Sequence, residues 1–429
     1  MDRKLTLLIF AAVLLRSTAT AQVGMDTVHL TLLDAERMFV DSNFQLLAQR
    51  YNVDAQKALI IQARLWPNPN LSFGRGPFIP LFDPNSQFPH SNFFYNSENS
   101  ASLSQLILLA GKRNKQIQLA QANAKLAEYQ FFDLMRTLKY TLRTDFFNIF
   151  YLLRSASVYQ EEINALQIVV KAFMEQEGKG YIAEKEVVRI KAQLYSLVSE
   201  YNDLLNQIND QESELKLVLQ AKASVYILPD ADTSAIAALN PARYPLTVLL
   251  DSAFKNRTDL LIARGNSEIN KLNYSYQKAL AVPDLTASVS WDRQGSYAIN
   301  YNGLGIDLDL PFFNRNQGNI KSARVMIDNG LANQRSAEAT VEENVNRAVQ
   351  KAFAQDKLFR SIDPRFAGDF DRLMHEVLVN YQKRNISLLD FLDFYDSYKQ
   401  NILQTNSIQY NRVSAFEDLN YYTATNFFN

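Results

Sequence analysis

The motif Pro283-Asp284-Leu285-Thr286 repeats a motif that stands 214 positions earlier, Pro69-Asn70-Leu71-Ser72. The pairs Leu260-Leu261 and Leu46-Leu47 precede these two motifs by 23 positions in each case. Each motif follows a helical pattern and opens a pair of strand patterns, after which long helical patterns begin. Similarity at a fixed spacing indicates duplication of a structural unit. We therefore predict a mainly α chain that consists of two similar halves.

The predicted first half covers 22–220, a linker covers 221–245, and the second half covers 246–429. In the first half the patterns predict strands at about 69–78 and 97–108, and helices at about 31–66, 112–177 and 183–220. In the second half they predict strands at about 283–293 and 301–311, and helices at about 246–281, 318–361, 366–384 and 388–425.

The segment 112–177 contains neither proline nor glycine. At 1.5 Å per residue it predicts a helix about 100 Å long. Its apolar residues are spaced three and four apart, and the same spacing returns in 183–220 after the break at Gly178-Lys179-Gly180. Apolar steps that average 3.5 residues are typical of coiled coils. The sequence therefore predicts long antiparallel coiled-coil hairpins.

The composition and the N-terminus restrict the possible functions. The chain has 429 residues, a net charge of −1, no cysteine and three histidines. Near-neutral charge gives no electrostatic case for nucleic acid binding. Arg3-Lys4, the apolar run from Leu5 to Leu15 and Ala19-Thr20-Ala21 predict a cleaved secretory signal peptide at 1–21. A buried N-terminal helix is the alternative interpretation.

The strand patterns of the second half alternate between apolar and polar residues. Leu285, Ala287, Val289 and Trp291 alternate with small or polar residues. This pattern fits a soluble sheet packed on a core, and it also fits a barrel wall with lipid outside and water inside. Trp291 and Tyr301 stand where an aromatic girdle is expected. Because four strands cannot close a barrel and lipid tolerates no open edges, the barrel hypothesis requires several copies of the chain.

The segment 308–320, Leu-Asp-Leu-Pro-Phe-Phe-Asn-Arg-Asn-Gln-Gly-Asn-Ile, carries a specific resemblance, and Ser104-Gln105 with Ala110-Gly111-Lys112-Arg113 is its counterpart in the first half. The chain resembles the TolC-type outer-membrane efflux proteins over its mature length, and within them the heavy-metal branch typified by CzcC and CusC. This resemblance implies a homotrimer in which each chain gives four strands to a twelve-stranded outer-membrane β-barrel. The helices would form a periplasmic α-barrel that meets a periplasmic adaptor protein and an inner-membrane pump of the RND type. No catalysis and no cofactor are implied.

The resemblance also implies functional residues at the periplasmic tips. Gly180, Tyr181 and Ile182 match the first tip turn and Asn385, Ile386 and Ser387 match the second, and both turns are expected to contact the adaptor. Asp390, Asp393, Glu186 and Arg384 are the expected gate and tip residues. Positions three apart share a helix face, so both aspartates could line the entrance, although a solvated face is the alternative. Arg384 departs from the family, which has glycine there. Candidate pore-lining residues near the strands are Asp284, Asp307 and Asp309.

Other functions fit the sequence less well. It contains no phosphate-binding loop, zinc-protease motif or nucleophile elbow, so we do not expect an enzyme. A periplasmic coiled-coil adaptor shares the long hairpin but does not explain two hairpins, each paired with two-faced strands. Heavy-metal cations are the cargo that the resemblance implies, and a channel for drugs or other small molecules stays open. No histidine or methionine cluster indicates a metal site.

Overall fold

The computed structural model describes residues 26–75, 99–294, 298–363 and 372–428, apart from 374, 375, 378, 382 and 384. The predicted signal peptide and Arg384 lie outside these residues, as does 366–371 of one predicted helix. The described residues of 372–381 are helical.

The elements of the first half are β1 (Asp26–Thr31), α1 (Leu32–Ser42), α2 (Phe44–Arg64), β2 (Asn70–Arg75), β3 (Asn99–Ile107), α3 (Lys112–Gly178) and α4 (Glu184–Leu219). Then follow β4 (Val225–Asp230), α5 (Thr233–Ala238), a 3-10 turn (Pro241–Arg243), α6 (Leu246–Asn256), α7 (Thr258–Leu280), β5 (Leu285–Gln294), β6 (Ile299–Leu308), α8 (Gln317–Arg360) and α9 (Leu388–Thr423).

Two segments predicted as single helices, 31–66 and 246–281, are each divided in the structure. The first is interrupted at Asn43, whose Oδ1 accepts the Leu46 N–H (3.0 Å) and whose Nδ2 donates to the Val218 carbonyl (2.8 Å). The second is interrupted at Arg257, which has an extended backbone. An asparagine that caps a new helix replaces missing intrahelical bonds, which explains the break. The helices that start at Leu32 and Leu246 have 11 residues each and lie 214 positions apart.

The four strands predicted from the alternation form one antiparallel sheet in the order β2-β3-β5-β6. β3 and β5 are the central pair, although α3 and α4 separate them in sequence. The predicted strand at 301–311 ends earlier, at Leu308. Within the described residues, β2 and β6 form the outer edges of this sheet.

A second, parallel pair was not predicted. β1 pairs with β4 from Asp26 opposite Val225 to Thr31 opposite Asp230. β4 lies in the segment predicted as a linker, where α5 and the 3-10 turn also occur. Its pattern is short and contains Pro229, which weakened the strand signal.

The buried apolar side chains of the described residues form three clusters. The central cluster joins β1, α1, α3, α4 and β4 around Phe39, Leu142, Phe146, Ile149 and Leu215. The tip cluster joins α3, α4 and α9 around Ile163, Leu166, Ile190, Leu197 and Phe391. The third cluster joins α6 to α9, with Val341, Val345 and Phe416 at its centre. The predicted coiled-coil seams therefore form the core.

None of the helices in the described part of the chain combines the length and apolarity required to cross a membrane.

Candidate functional site

The four-stranded sheet has two chemically different faces. Residues paired across all four strands form one apolar row, whose side chains are between 49% and 88% exposed: Leu71, Leu103, Val289 and Leu304. The next row, on the opposite face, consists of Ser72, Ser102, Ser290 and Gly303. Exposed apolar side chains in contiguous rows are unusual on a protein surface that faces water. This two-faced sheet needs an apolar environment on one side.

Aromatic residues lie near the end of the sheet where β5 and β6 are connected. Trp291 shares a row with Ala101, which is opposite Phe73 on β2, and Phe73 is 78% exposed. The aromatic pair on the apolar face is therefore Phe73 and Trp291. Tyr301 does not belong to this pair, because it is opposite Asp292 and its ring lies against Gly303, on the small-residue face.

Asp284, predicted to line the pore, has a structural contact at the start of the sheet. Its Oδ1 accepts from Lys112 Nζ at 2.7 Å and from the Leu109 N–H at 2.9 Å. Lys112 is nearly buried and also donates to the Val282 carbonyl (2.6 Å). Asp284 thus connects the first turn of α3 to the residues before β5. Asp284 precedes β5, which begins at Leu285, and its role in lining a pore stays a prediction.

Asp307 and Asp309 remain candidates for a polar lumen. Asp307 is opposite Thr286 in β6 and is exposed, and its parity places it on the face with the serines and glycines. Asp309 follows the strand and is also exposed.

The first tip turn, between α3 and α4, has a glycine in a left-handed conformation. Gly180 has φ 77°, the Tyr181 N–H donates to the Gln176 carbonyl (2.9 Å), and the Gly180 N–H donates to the Glu177 carbonyl (2.8 Å). These two bonds define a Schellman motif, in which glycine relieves the steric penalty of positive φ. Tyr181 is exposed and Ile182 is packed against the tip cluster.

The second tip turn precedes α9 and has a matching backbone bond. The Asn385 N–H donates to the Asn380 carbonyl (2.9 Å), as Tyr181 does to Gln176. Ile386 packs against the tip cluster. Ser387 is the N-cap of α9: its Oγ accepts the Asp390 N–H (3.2 Å), and Asp390 Oδ2 accepts from the Ser387 N–H (3.3 Å). Asp390 therefore completes a capping box.

The predicted gate residues thus have different surroundings. Both aspartates are exposed, but Asp390 is held by the helix cap, whereas Asp393 lies one turn later, outside the cap. Glu186 lies near Tyr381, whose buried hydroxyl has no hydrogen-bond partner. Burial and the Glu186 carboxylate raise the pKa of Tyr381. The Tyr381 ring stacks 4.4 Å from that of Phe391 and 5.9 Å from that of Phe173, which connects the two hairpins at the tip.

Buried charged residues that sequence reasoning missed join the helices. Arg143 donates to Glu417 Oε2 (2.6 Å) and to Glu36 Oε1 (2.6 Å). Arg412, 1% exposed, donates to Asp356 Oδ1 (2.9 Å) and to the carbonyls of Ile236 and Leu239 at the end of α5. An arginine among the apolar positions of a helix was the sequence signal that could have indicated these buried ion pairs.

Among the described residues, no group of three or more histidine or acidic side chains could hold a metal ion.

No family model matches the chain. It is similar to the cobalt-zinc-cadmium resistance protein CzcC of Cupriavidus metallidurans, with 22% identity over 376 residues, which cover 85% of this chain and 82% of the relative. Its structure is similar to the Campylobacter jejuni outer membrane channel CmeC, with a TM-score of 0.72, 14% identity and coverage of 91% and 85%. It also resembles CusC, with a TM-score of 0.72, 14% identity and coverage of 91% of both chains.

The chain therefore has the fold of the TolC-type outer-membrane channels. The resemblance predicted from the sequence, with the heavy-metal branch typified by CzcC and CusC, is confirmed.

Proposed function

We propose that this protein is the outer-membrane channel of a tripartite export system. Three copies would assemble through β2 and β6 into a twelve-stranded barrel, and the duplicated helices of each copy would form the periplasmic tunnel. The signal peptide would direct export, the tip turns would contact a periplasmic adaptor, and an RND-type inner-membrane pump would drive transport. The channel would use no cofactor and catalyse no reaction.

The two-faced sheet is the observation that carries this proposal. One face has exposed Leu71, Leu103, Val289 and Leu304, and the other has serine and glycine. A barrel wall needs an apolar outer face and a polar inner face. The two unpaired edge strands also require partners, because lipid leaves backbone N–H and C=O groups unsatisfied. Pairing of edge strands between copies would give the edge backbone groups their partners and would form a closed wall with an apolar outer face and a polar inner face.

Heavy-metal cations are the cargo class that we propose. CzcC is by name a cobalt-zinc-cadmium resistance protein. In the proposed assembly, Asp307 and Asp309 would favour cations in the lumen, and Asp393 would favour them at the tip. A channel for drugs or other small molecules would be compatible with the same fold, so a transport assay must identify the cargo. A soluble adaptor would leave the apolar face of the sheet unexplained.

Conductance in planar bilayers tests the channel. The purified chain without its signal peptide should give discrete, ohmic conductance steps that do not depend on an added partner or nucleotide. A heat-denatured sample of the same preparation is the control. Absence of steps from protein that is folded by circular dichroism would contradict the proposal, and release from membranes by salt alone would favour an adaptor.

Asp393 is the acid that we expect to control cations at the tip, because Asp390 is held in the capping box. In the trimer, Asp393→Asn removes three charges from one ring. We expect block by divalent cations to weaken on the order of tenfold, since rings of charge concentrate counter-ions locally. Glu184→Gln, an exposed acid in the first turn of α4, is the matched control and should leave block unchanged. Equal block in Asp393→Asn and in the unsubstituted channel would exclude this role.

A further inference from the structure

The packing of α3, α4 and α9 changes character between the central cluster and the tip cluster. A groove of about 630 Å³ separates the two apolar clusters there. Aromatic and leucine side chains line part of this groove, and six polar residues line the rest; we call these six the polar layer: Asn148, Ser155, Asp203, Gln207, Asn406 and Ser407. Asn406 Nδ2 donates to Ser155 Oγ (3.1 Å), which connects α9 to α3. Packing by a few hydrogen bonds around a groove is less rigid than a close-packed core.

A charge cluster at the tip end of the polar layer has a buried lysine, whose partners Glu200 and Asp396 reach the surface. Lys399 of α9, 2% exposed, donates to Glu200 Oε2 of α4 (2.9 Å) and lies 3.1 Å from Asp396 Oδ1. Its Nζ also lies 5.8 Å from the centre of the Tyr159 ring on α3. One lysine therefore contacts side chains of all three helices.

Glu162 of α3 belongs to this cluster but has an unsatisfied atom. Its side chain is 3% exposed and its Oε1 has no hydrogen-bond partner. The charged groups that act on it are Lys399 and Asp396 from α9 and Glu200 from α4. Two tyrosines with raised pKa values, Tyr159 on α3 and Tyr395 on α9, are also close to it.

Loss of the Glu162 proton adds a second net negative charge to the cluster, because Lys399 already faces Glu200 and Asp396. Burial, together with Asp396 and Glu200, raises the pKa of Glu162 to about 8, although Lys399 opposes the shift. In water the pKa of a glutamate is near 4.3. Because packed Glu162 binds its proton more tightly than a glutamate in water, protonation stabilises the packed state. This stabilisation is complete below the pKa in water, and it is lost as the pH rises through the raised pKa of Glu162.

We propose that the polar layer is a hinge in the helical wall, and that protonated Glu162 holds the tip-proximal part of α9 against α3 and α4. When Glu162 loses its proton, a buried carboxylate without a hydrogen-bond partner for Oε1 becomes charged beside Glu200 and Asp396, and water enters from the groove at Tyr159 and Glu200. The start of α9 then moves away from the α3–α4 hairpin. This device belongs to the single chain and does not depend on whether the assembly conducts.

Distances between spin labels test the hinge directly. The chain has no cysteine, so Gln160→Cys on α3 and Gln400→Cys on α9, both at exposed positions, can be labelled with nitroxides. The full mature chain in detergent, diluted with unlabelled chain, would be measured by pulsed electron paramagnetic resonance from pH 6 to pH 9. We expect the ratio of separated to packed populations to rise at least about tenfold, with a midpoint near the raised pKa.

Three variants test whether the change in distance with pH comes from the Glu162 proton. Glu162→Gln imitates the protonated side chain and should keep the short distance at every pH. Glu161→Gln, the exposed neighbour, should behave like the unsubstituted chain. Asp145→Asn should also retain the response, because Asp145 lies at the other end of the layer; burial and Glu214 raise the pKa of Asp145 to about 7. A constant distance in the unsubstituted chain would overturn the proposal, as would a response that survives in Glu162→Gln or disappears in Asp145→Asn.

Discussion

Val289→Arg should abolish stable residence of the protein in the outer membrane. Val289 is 55% exposed in the middle of β5 and belongs to the apolar row that crosses all four strands. An arginine on the lipid face of a barrel costs about 2–4 kcal/mol near the bilayer midplane. A trimer would carry three of them. We expect the amount of folded trimer in the outer-membrane fraction to fall by at least about tenfold, measured by fractionation and immunoblotting.

Ser290→Arg is the matched control, because the adjacent residue points to the opposite face. Ser290 is paired with Ser102 and Gly303 in the small-residue row. On a water-filled lumen an arginine finds solvent, so the trimer should form and only its conductance should change. If the sheet were exposed to water on both faces, both variants would change stability by no more than about 0.5 kcal/mol. Equal recovery of both variants would therefore contradict the barrel.

Arg412→Met should lower the stability of the helices more than any other single substitution in their buried ion pairs. Arg412 is 1% exposed and holds Asp356, which is also buried. It further donates to carbonyls at the end of α5 and lies 4.3 Å from the centre of the Phe359 ring. Removal of Arg412 leaves Asp356 Oδ1 without its bond while Arg360 still holds Oδ2, so we expect the lower end of the cost of breaking a buried pair, about 3 kcal/mol. We expect the apparent melting temperature in detergent to fall by roughly 3–4 °C.

Arg360→Met tests whether burial, and not the ion pair itself, produces this effect. Arg360 Nε donates to the other oxygen of Asp356 (2.7 Å), but its side chain is 51% exposed. Exposed pairs contribute about 0–1 kcal/mol, so the melting temperature should stay within about 2 °C. Equal losses in the two variants would show that Arg412 has no special role in joining α5, α8 and α9.

The periodic spacing of apolar residues predicted the long helices and the strands, because in both the pattern repeats over many residues. The seam positions from Leu142 to Phe173 are buried because each lies on the same face of a helix of 67 residues. The four strands of the sheet followed from strict alternation. The breaks at Asn43 and Arg257 were missed because a single capping residue does not interrupt an apolar pattern.

Contacts between distant residues could not be predicted from one sequence. Asp284 follows Lys112 by 172 positions, and the Arg412 bond to the Ile236 carbonyl at the end of α5 spans 176 positions. Nothing in local spacing shows that these residues meet. The difference between Asp390 and Asp393 is local instead: Ser387 and Asp390 have the spacing of a capping box, a signal that the sequence contained and that the interpretation as gate residues did not use.

The number of chains in the membrane-extracted particle tests the central claim most directly. The chain without its signal peptide would be extracted from the outer-membrane fraction with detergent, and native mass spectrometry would give its mass without bound detergent. We predict three copies, the number that the resemblance to the TolC-type channels implies, with four strands from each copy in a twelve-stranded barrel. A monomer or dimer that stays in solution without detergent would contradict the shared barrel, and with it the channel.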